Sequence, residues 1–557
     1  MTASYQPPWW RRTTVYHIYP RSFADTNGDG IGDLAGVIDK LDYLQDLGIE
    51  TLWLSPFFSS PQADFGYDIS DYLTVAPEFG SLDDVTRLID GVHARGMKIV
   101  FDMVLNHTSE HHPWFVESRS SRHSKKRDWY IWRDGREPHG KAPPNNWQCM
   151  LGGSGWRYDA STDQWHWTSF LPFQPDLNYR NPEVQEAMLD TVRHWLSRGV
   201  DGFRLDIFNA IYKDSAFEDN PFSLRPLPTE DNPHGFFQNH LHTIDHPDTL
   251  SFARKLRSVI DEFQSPPRFV VGEVFGSPEA VRRYCGDHAD GLNLVFLFKT
   301  MRTDVTSSAL RDLVEEFERV FPEPYLPTWV FSNHDRPRML HRLGDDVRKA
   351  KLLCMLQLTA RGVPFIYYGE EIGMRHSPIP LTRGQDPLAQ RNRQVPQPLA
   401  RLLSKRGLLL NRDECRLPMQ WNAGPHGGFT EPDAKPWLPV HRDAAHVNVE
   451  YQTADPTSIF HTYRSLLGLR KNSLALQEGR LQLRSSGKVP ADVLAYRRIH
   501  GKEVVDVFLN ASERHVKLDL GDPDGRSMYS SRVSGLRPAT RSYRMEPFEG
   551  IMLLATP

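Results

Sequence analysis

The chain has 557 residues, enough for about three domains with ample core. With 39% hydrophobic and 24% charged residues it reads as a soluble globular protein and not as a fibrous or disordered one. The formal net charge of -4 is too small to mark a nucleic-acid or anionic-membrane partner. One basic run, Arg119 to Arg127, reads as a solvated loop. Met1 to Arg12 is polar and has no apolar signal segment, and no apolar run approaches the length of a membrane span. Cys149, Cys285, Cys354 and Cys415 are scattered and lack the pair spacing of a zinc or redox motif, so buried thiols in a reducing cytosol are expected.

In chain order, Val15 to Tyr19 is a first strand, followed by the loop Asp25 to Asp33. A helix with Leu34, Val37, Ile38, Leu41, Leu44 and Leu47 on one face stops at Gly48, and Thr51 to Ser55 is the next strand. The same grammar recurs: helices end at Gly96, Gly199 and Gly362, each just before an apolar strand. Strands near Phe269, Leu294 and Val330 bring the count to eight. Eight strands alternating with helices predict a parallel α/β fold, and eight is the number that closes a (β/α)8 TIM barrel, whose function sits at the C-terminal strand ends. An open doubly wound sheet is the alternative, but no phosphate-binding glycine fingerprint follows a strand.

Three long stretches interrupt this pattern. Ser109 to Pro175, after the third strand, holds seven of the fourteen tryptophans and needs a small core of its own or a function. Tyr212 to His246 is rich in Pro, Asn and His and reads as a lid; the third runs from Gly373 to Pro439. After a last helix, Pro456 to Arg470, short alternating runs such as Val504 to Leu509 predict a C-terminal antiparallel β-sandwich. The expected partition is therefore 1–108 and 176–475 for the barrel, 109–175 for an inserted domain B and 476–557 for the C-terminal domain.

The strand ends carry isolated polar residues: His107, Asp206, Glu273 and Asp335. Arg204 and Asp206 are two apart, so a strand points them to one side, and the arginine holds the carboxylate ionised, as a nucleophile must be. Glu273 has apolar neighbours in Val271, Val274 and Phe275, and burial among them would keep it protonated, as a general acid must be. Such carboxylates at one barrel mouth suit glycoside cleavage, and neutral histidines such as His107 and His334 donate to sugar hydroxyls. Any one of these residues alone reads equally well as an ordinary strand cap; four on four strands do not.

The set Asp102 to His107, Gly202 to Asp206, Gly272 to Val274 and Ser332 to Asp335 resembles the alpha-amylase superfamily, glycoside hydrolase family thirteen. Gln174 to Asn178, Gly66 to Tyr72 and Asn411 to Trp421 resemble its alpha-glucosidase and oligo-1,6-glucosidase branch. The resemblance implies Asp206 as nucleophile, Glu273 as acid/base and Asp335 as the carboxylate that distorts and stabilises the sugar. It implies Tyr67 stacked on the ring, with Asp68, His107, Arg204, His334 and Arg412 on its hydroxyls; Arg416 competes with Arg412 for that place. Phe170 from the insert and Phe298 on the sixth strand are candidate pocket walls, and core packing explains each equally well.

The loop Asp25, Asn27, Asp29, Asp33 alternates oxygen ligands with glycines, as calcium loops do, although Asn-Gly and Asp-Gly are also ordinary turn pairs. The similar glucosidases bind calcium or magnesium through these side chains and the carbonyl of Ile31, so the resemblance implies a structural Ca2+ or Mg2+ and no organic cofactor. Ile207, after the nucleophile, departs from the pattern: Val there goes with α-1,6 preference and Ala or Thr with α-1,4. On a strand its side chain would point away from the Asp206 side.

The reading is a cytoplasmic, retaining, exo-acting alpha-glucosidase on short alpha-glucosides with transglycosylation, as monomer or homodimer, without nucleic-acid or membrane partners. The alternative is an oligo-1,6-glucosidase or an isomerising transglucosidase of the trehalose or isomaltulose synthase type. A catalytically silent member, such as a transporter heavy-chain ectodomain, would lack the catalytic residues and carry a membrane helix.

Overall fold

The barrel strands are short and, Lys98 apart, buried: β1 (Val15–Ile18), β2 (Thr51–Leu54), β3 (Lys98–Met103), β4 (Gly202–Leu205), β5 (Phe269–Gly272), β6 (Leu294–Val295), β7 (Thr328–Val330) and β8 (Val363–Tyr367). Runs with apolar residues on both faces behave this way only when both faces are covered. The computed structural model describes residues 7–136, 140–405, 410–484, 489–521 and 525–555. Residues 1–6 of the polar N-terminus, 137–139 of the first insertion, 406–409 of the third and 485–488, 522–524 and 556–557 of the C-terminal region lie outside the described residues. The eight strands form one sheet in the order β6-β5-β4-β3-β2-β1-β8-β7, the cyclic order of a (β/α)8 barrel. Among the described residues no helix is long and apolar enough to cross a membrane.

The chain divides into two compact units: residues 1–52, 90–98 and 297–557, and residues 53–89 and 99–296. In the first, β1 pairs parallel with β8, and β8 with β7. The helix expected over Leu34 to Leu47 is two, α1 (Leu34–Asp39) and α2 (Leu41–Leu47), broken where Lys40 leaves helical geometry at φ -103° and ψ 7°. The reason is in the spacing: Ile38, Leu41, Leu44 and Leu47 recur every three residues, which drifts around a straight helix of 3.6 per turn, and the break resets the phase. Gly48 then terminates α2 at φ 99°. The C-terminal region is antiparallel: a six-stranded sheet and a two-stranded ladder, Val516–Asp519 with Ser542–Met545. Val516, Leu518 and Met545 of the ladder share a core with Val493, Phe508, Met528 and Ile551 of the sheet.

In the second unit β3, β4, β5 and β6 run parallel in sequence order. The insertion after β3 has its own three-stranded antiparallel sheet, with Gln164–Trp167 between Trp132–Arg133 and Trp156–Asp159. Trp147, Trp156, Trp167 and Ile131 make its core, with Phe217 from the second stretch packed against them. The stretch read as a lid is therefore stitched to the insertion. Asn145 donates to the Phe217 carbonyl at 3.0 Å, and the Trp147 indole to that of Glu218 at 2.7 Å.

Within the basic run Arg119, Arg122, His123 and Lys125 are exposed, as expected of a solvated stretch, but its two ends are structured. Pro113–Ser120 is a helix, and Arg127 is buried and donates to the Ser118 carbonyl at 2.9 Å. Arg122 donates to the Thr162 carbonyl at 2.6 Å, and Lys126 lies 3.3 Å from the Trp129 ring centroid. Charge density alone hid these long-range partners. The four thiols are free and buried.

Candidate active site

In the second unit the site grows from three adjacent strands. Asp102 on β3, Arg204 on β4 and Val271 on β5 are in register. Strand β4 passes so close to β5 that a Cβ on Gly202 would lie 2.2 Å from the Phe269 carbonyl oxygen, which explains the glycine opening that motif. Backbone pairing continues past the strand ends. The Asp206 N–H donates to the Met103 carbonyl at 3.1 Å, and the Glu273 N–H to that of Leu205 at 2.8 Å.

Arg204, 1% exposed, is the centre. Its Nη1 donates to Asp102 Oδ1 at 2.8 Å and to Asp206 Oδ1 at 2.7 Å, while Nη2 donates to Glu273 Oε2 at 2.6 Å. One guanidinium thus holds three carboxylates, a geometry its planar fork permits and a lysine could not reproduce. Asp102 Oδ2 accepts from the Trp53 indole at 3.2 Å and the Tyr67 hydroxyl at 3.0 Å. Burial pushes the Asp102 carboxyl up to about 6 in spite of Arg204 and Tyr67. The expected apolar setting of Glu273 is corrected: Arg204 and the Ile207 N–H, at 3.3 Å, both face its Oε2.

Ile207 is not on the strand. Strand β4 ends at Leu205, and Ile207 has left-handed geometry, φ 38° and ψ 45°, ahead of a short turn Phe208–Ala210. Strand alternation therefore does not decide where its side chain goes. It packs with Ala210 and Ile244, against Met150 and Phe275. A β-branched residue in this region is strained by on the order of 1–3 kcal/mol, which the surrounding contacts must offset.

A second polar group surrounds His107. Asn106 donates to Asp176 Oδ2 at 3.1 Å, and the buried Lys213 donates to Asn106 Oδ1 at 2.9 Å and pairs with Asp176. Burial holds the His107 imidazole below its usual value, so it is neutral near pH 7. The Asp68 carboxylate is occupied by its own loop, accepting from Ser60 Oγ at 2.9 Å, Asp64 N at 2.9 Å and Ala63 N at 3.0 Å. Burial pushes it up to about 6. Phe170 is half-buried on the insertion.

The first unit carries the third carboxylate. Asp335 Oδ1 accepts from Arg416 Nη2 at 2.8 Å and Arg412 Nη1 at 3.1 Å, and His334 Nε2 lies 3.1 Å from Oδ2. Burial pushes this carboxyl up, but His334, Arg412 and Arg416 together hold it well below the usual range. Arg416 also donates to the His334 carbonyl at 2.8 Å, and Asp386 orients Arg412 through Nη2 at 2.7 Å. Both Arg412 and Arg416 therefore face the Asp335 carboxylate. Tyr19 stacks on His334 with centroids 5.8 Å apart. Phe298 is buried in a short turn, Phe298–Met301, after β6 and not on the strand.

Sequence reasoning missed Trp53, Lys213, Asp176, Asp386 and the role of Arg416. Asp176 and Arg416 stand inside the runs Gln174 to Asn178 and Asn411 to Trp421, and Lys213 shows as a lone cation after the apolar Ile211-Tyr212. The loop read as a cation site is tied by its own side chains. Asp25 Oδ1 accepts from Gly28 N at 2.9 Å, Asn27 Oδ1 from Asp29 N at 2.9 Å, Asp29 Oδ1 from Ile31 N at 2.7 Å, and Asp33 Oδ1 from Gly36 N at 2.6 Å. The oxygen chemistry of this loop suits a hard cation, but the carboxylates of Asp25, Asp29 and Asp33 are not drawn to metal-ligand spacing. Among the described residues one group of acids and imidazoles has metal-ligand spacing, Asp214, Glu218 and His242, with ligand atoms within 4.8 Å of one another.

The sequence profile of the alpha-amylase catalytic domain matches residues 17–479. A probable alpha-glucosidase of Rhizobium meliloti (strain 1021) is 40% identical over 525 residues, 92% of this chain and 91% of that protein. An oligo-1,6-glucosidase of Heyndrickxia coagulans is 38% identical over 539 residues, 92% and 94% of the two chains. The crystal structure of an alpha-glucosyl transfer enzyme, XgtA, superposes with a TM-score of 0.87 at 37% identity, covering 99% of this chain and 100% of the other.

Proposed function

The chain belongs to the alpha-amylase family, and we propose that it is a retaining, exo-acting alpha-glucosidase that releases terminal alpha-linked glucose from short alpha-glucosides, with glucosyl transfer as a side reaction. The observation that carries this reading is the Arg204 fork, which holds Asp206 and Glu273 side by side at the ends of adjacent strands. Retaining pairs need carboxyl groups about 5–5.5 Å apart. In the first step the Glu273 carboxyl proton passes to the glycosidic oxygen. The C1–O bond breaks with its electron pair on that oxygen, and Asp206 closes a glycosyl ester at C1. In the second step Glu273, now a carboxylate, takes a proton from water. The water oxygen attacks C1, and the ester opens to give the α-anomer and the Asp206 carboxylate.

Asp335 is assigned the part of the third carboxylate, kept ionised by Arg412, Arg416 and His334 to face a developing positive charge on the sugar. Tyr67 would stack on the ring. Asp68, His107, Arg204, His334 and Arg412 would reach its hydroxyls, and Phe170 and Phe298 would wall the pocket; the three hydrogen bonds Asp68 accepts from its own loop leave a lone pair for the sugar. All the groups this chemistry needs are side chains, so no organic cofactor enters. A calcium or magnesium ion would be held by Asp25, Asn27, Asp29, Asp33 and the carbonyl of Ile31, away from the chemistry. Chelation is expected to lower the melting temperature, because a ligand bound only to the native state stabilises it by mass action; an unchanged melting curve together with no metal by elemental analysis returns the loop to a plain turn.

The functional parts are the barrel, 1–108 and 176–475, the inserted domain, 109–175, and the C-terminal domain, 476–557. We place the protein in the cytosol, where four free buried thiols persist, acting as monomer or homodimer on small alpha-glucosides. The second reading, an oligo-1,6-glucosidase or an isomerising transglucosidase, is favoured by the Heyndrickxia relative and by the transfer enzyme. One experiment tests both: maltose, isomaltose, sucrose, trehalose and kojibiose are followed by proton NMR from the first turnover. Alpha-glucose released first, with activity on both maltose and isomaltose, is expected. Beta-glucose overturns the mechanism, and conversion of sucrose or maltose to an isomeric disaccharide selects the second reading.

A further inference from the structure

Lys213 is a cation buried away from Arg204, its side chain 2% exposed. Its ammonium lies between Asn106 Oδ1, at 2.9 Å, and the Asp176 carboxylate. Asp176 is further fixed by Ser169, whose N–H and hydroxyl donate to it at 2.7 and 2.6 Å. An ammonium only donates and a carboxylate only accepts. These two neighbours therefore dictate the orientation of the Asn106 amide: oxygen towards Lys213, nitrogen towards Asp176 Oδ2 at 3.1 Å.

The amide nitrogen carries two hydrogens. One goes to Asp176; the other faces Nδ1 of His107, 3.2 Å away. An N–H aimed at Nδ1 requires a lone pair there, because a proton on Nδ1 would set two hydrogens against each other. A neutral imidazole has a single N–H, so it is then on Nε2. We propose that Lys213 is a positioning residue which, through Asn106, fixes the Nε2–H tautomer of His107, so that this ring presents a hydrogen-bond donor to a sugar hydroxyl.

Burial, which keeps the imidazole neutral, makes the tautomer a meaningful choice. Lys213 sits at the root of the stretch packed on the insertion, so the same residue ties that stretch to the end of β3. The donor role of His107 rests on the proposed function; the tautomer itself does not.

The test uses the full-length enzyme labelled with 15N-histidine and long-range proton–nitrogen spectra, with His107 assigned by its disappearance in His107→Gln. Nδ1 is expected at the shift of an unprotonated nitrogen and Nε2 at that of a protonated one; the reverse overturns the proposal. Lys213→Met is expected to mix the tautomers and lower kcat/KM about ten- to hundredfold. In the His107→Gln background the same change is expected to cost much less, and equal losses in the two backgrounds overturn the proposal. Should Lys213→Met not fold, Asn106→Asp serves, since a carboxylate still accepts from Lys213 but gives no N–H to Nδ1. The proton should then move to Nδ1, and an unmoved tautomer sinks the idea. Full activity in His107→Gln, with the wild-type tautomer as expected, would instead count against His107 as a substrate contact and leave the positioning intact.

Discussion

Two acidic clusters in this chain are built with opposite proportions of anion and cation. Around Arg204, one guanidinium faces three carboxylates, Asp102, Asp206 and Glu273. Around Asp335, two arginines and a histidine face one carboxylate, and Asp386 steadies one of those arginines. The titration behaviour follows the count. Burial pushes Asp102 up to about 6 in spite of Arg204, whereas His334, Arg412 and Arg416 together outweigh burial at Asp335 and hold it well below the usual range. At Asp102 burial therefore prevails over the single cation, whereas at Asp335 the surrounding cations hold a fixed negative charge.

The largest effect that would break this contrast concerns the nucleophile. Asp206→Asn is expected to lower kcat by at least about 10⁴-fold with the melting temperature nearly unchanged. Residual turnover close to wild type on nitrophenyl glucoside would remove Asp206 from its role. Glu273→Gln is expected to cost about 10²–10⁴ on maltose and much less on nitrophenyl glucoside, whose leaving group needs no proton. Equal losses on the two substrates would remove Glu273 from the part of the acid.

Stability sharpens the comparison next. Arg204→Met leaves three carboxylates without their shared cation and should cost about 3–5 kcal/mol in urea unfolding. Arg416→Met leaves Asp335 with Arg412 and His334 and should cost about 1–3 kcal/mol. Similar losses would mean that the proportion of charges does not matter.

The smallest effect is in pH dependence, and the clusters differ in sign. The folded value of Asp102 lies above its unfolded value near 3.9, so its stabilising contribution is complete below about pH 4 and is lost as pH rises through about 6. Asp335 lies below its unfolded value, so its contribution is complete above that value and is lost as pH falls through the folded one. Asp102→Asn should flatten the stability curve between pH 4 and 6, and Asp335→Asn should flatten it on the acid side. Both are read by denaturant titration across pH, and the same change from either variant would erase the distinction.

The strands, the glycine-capped helix ends and the strand-end carboxylates were legible in local patterns of the sequence. Those signals are local: apolar runs set by backbone pairing, a glycine such as Gly48 taking a left-handed cap, and Arg204 and Asp206 two residues apart on one face. Resemblance supplied the roles. The tertiary structure alone decided who shares each charge. Arg204 meets Asp102 across 102 residues and Glu273 across 69, and Lys213 meets Asn106 across 107. It also turned Ile207 off the strand, paired Arg416 with Asp335, merged the supposed lid with the insertion and buried Arg127 in a run that read as solvated. The physical reason is common to all of them. A backbone hydrogen-bonding pattern repeats along the chain and writes a period into the sequence. A buried charge needs only one partner close in space, and that partner imposes no spacing on the residues around it.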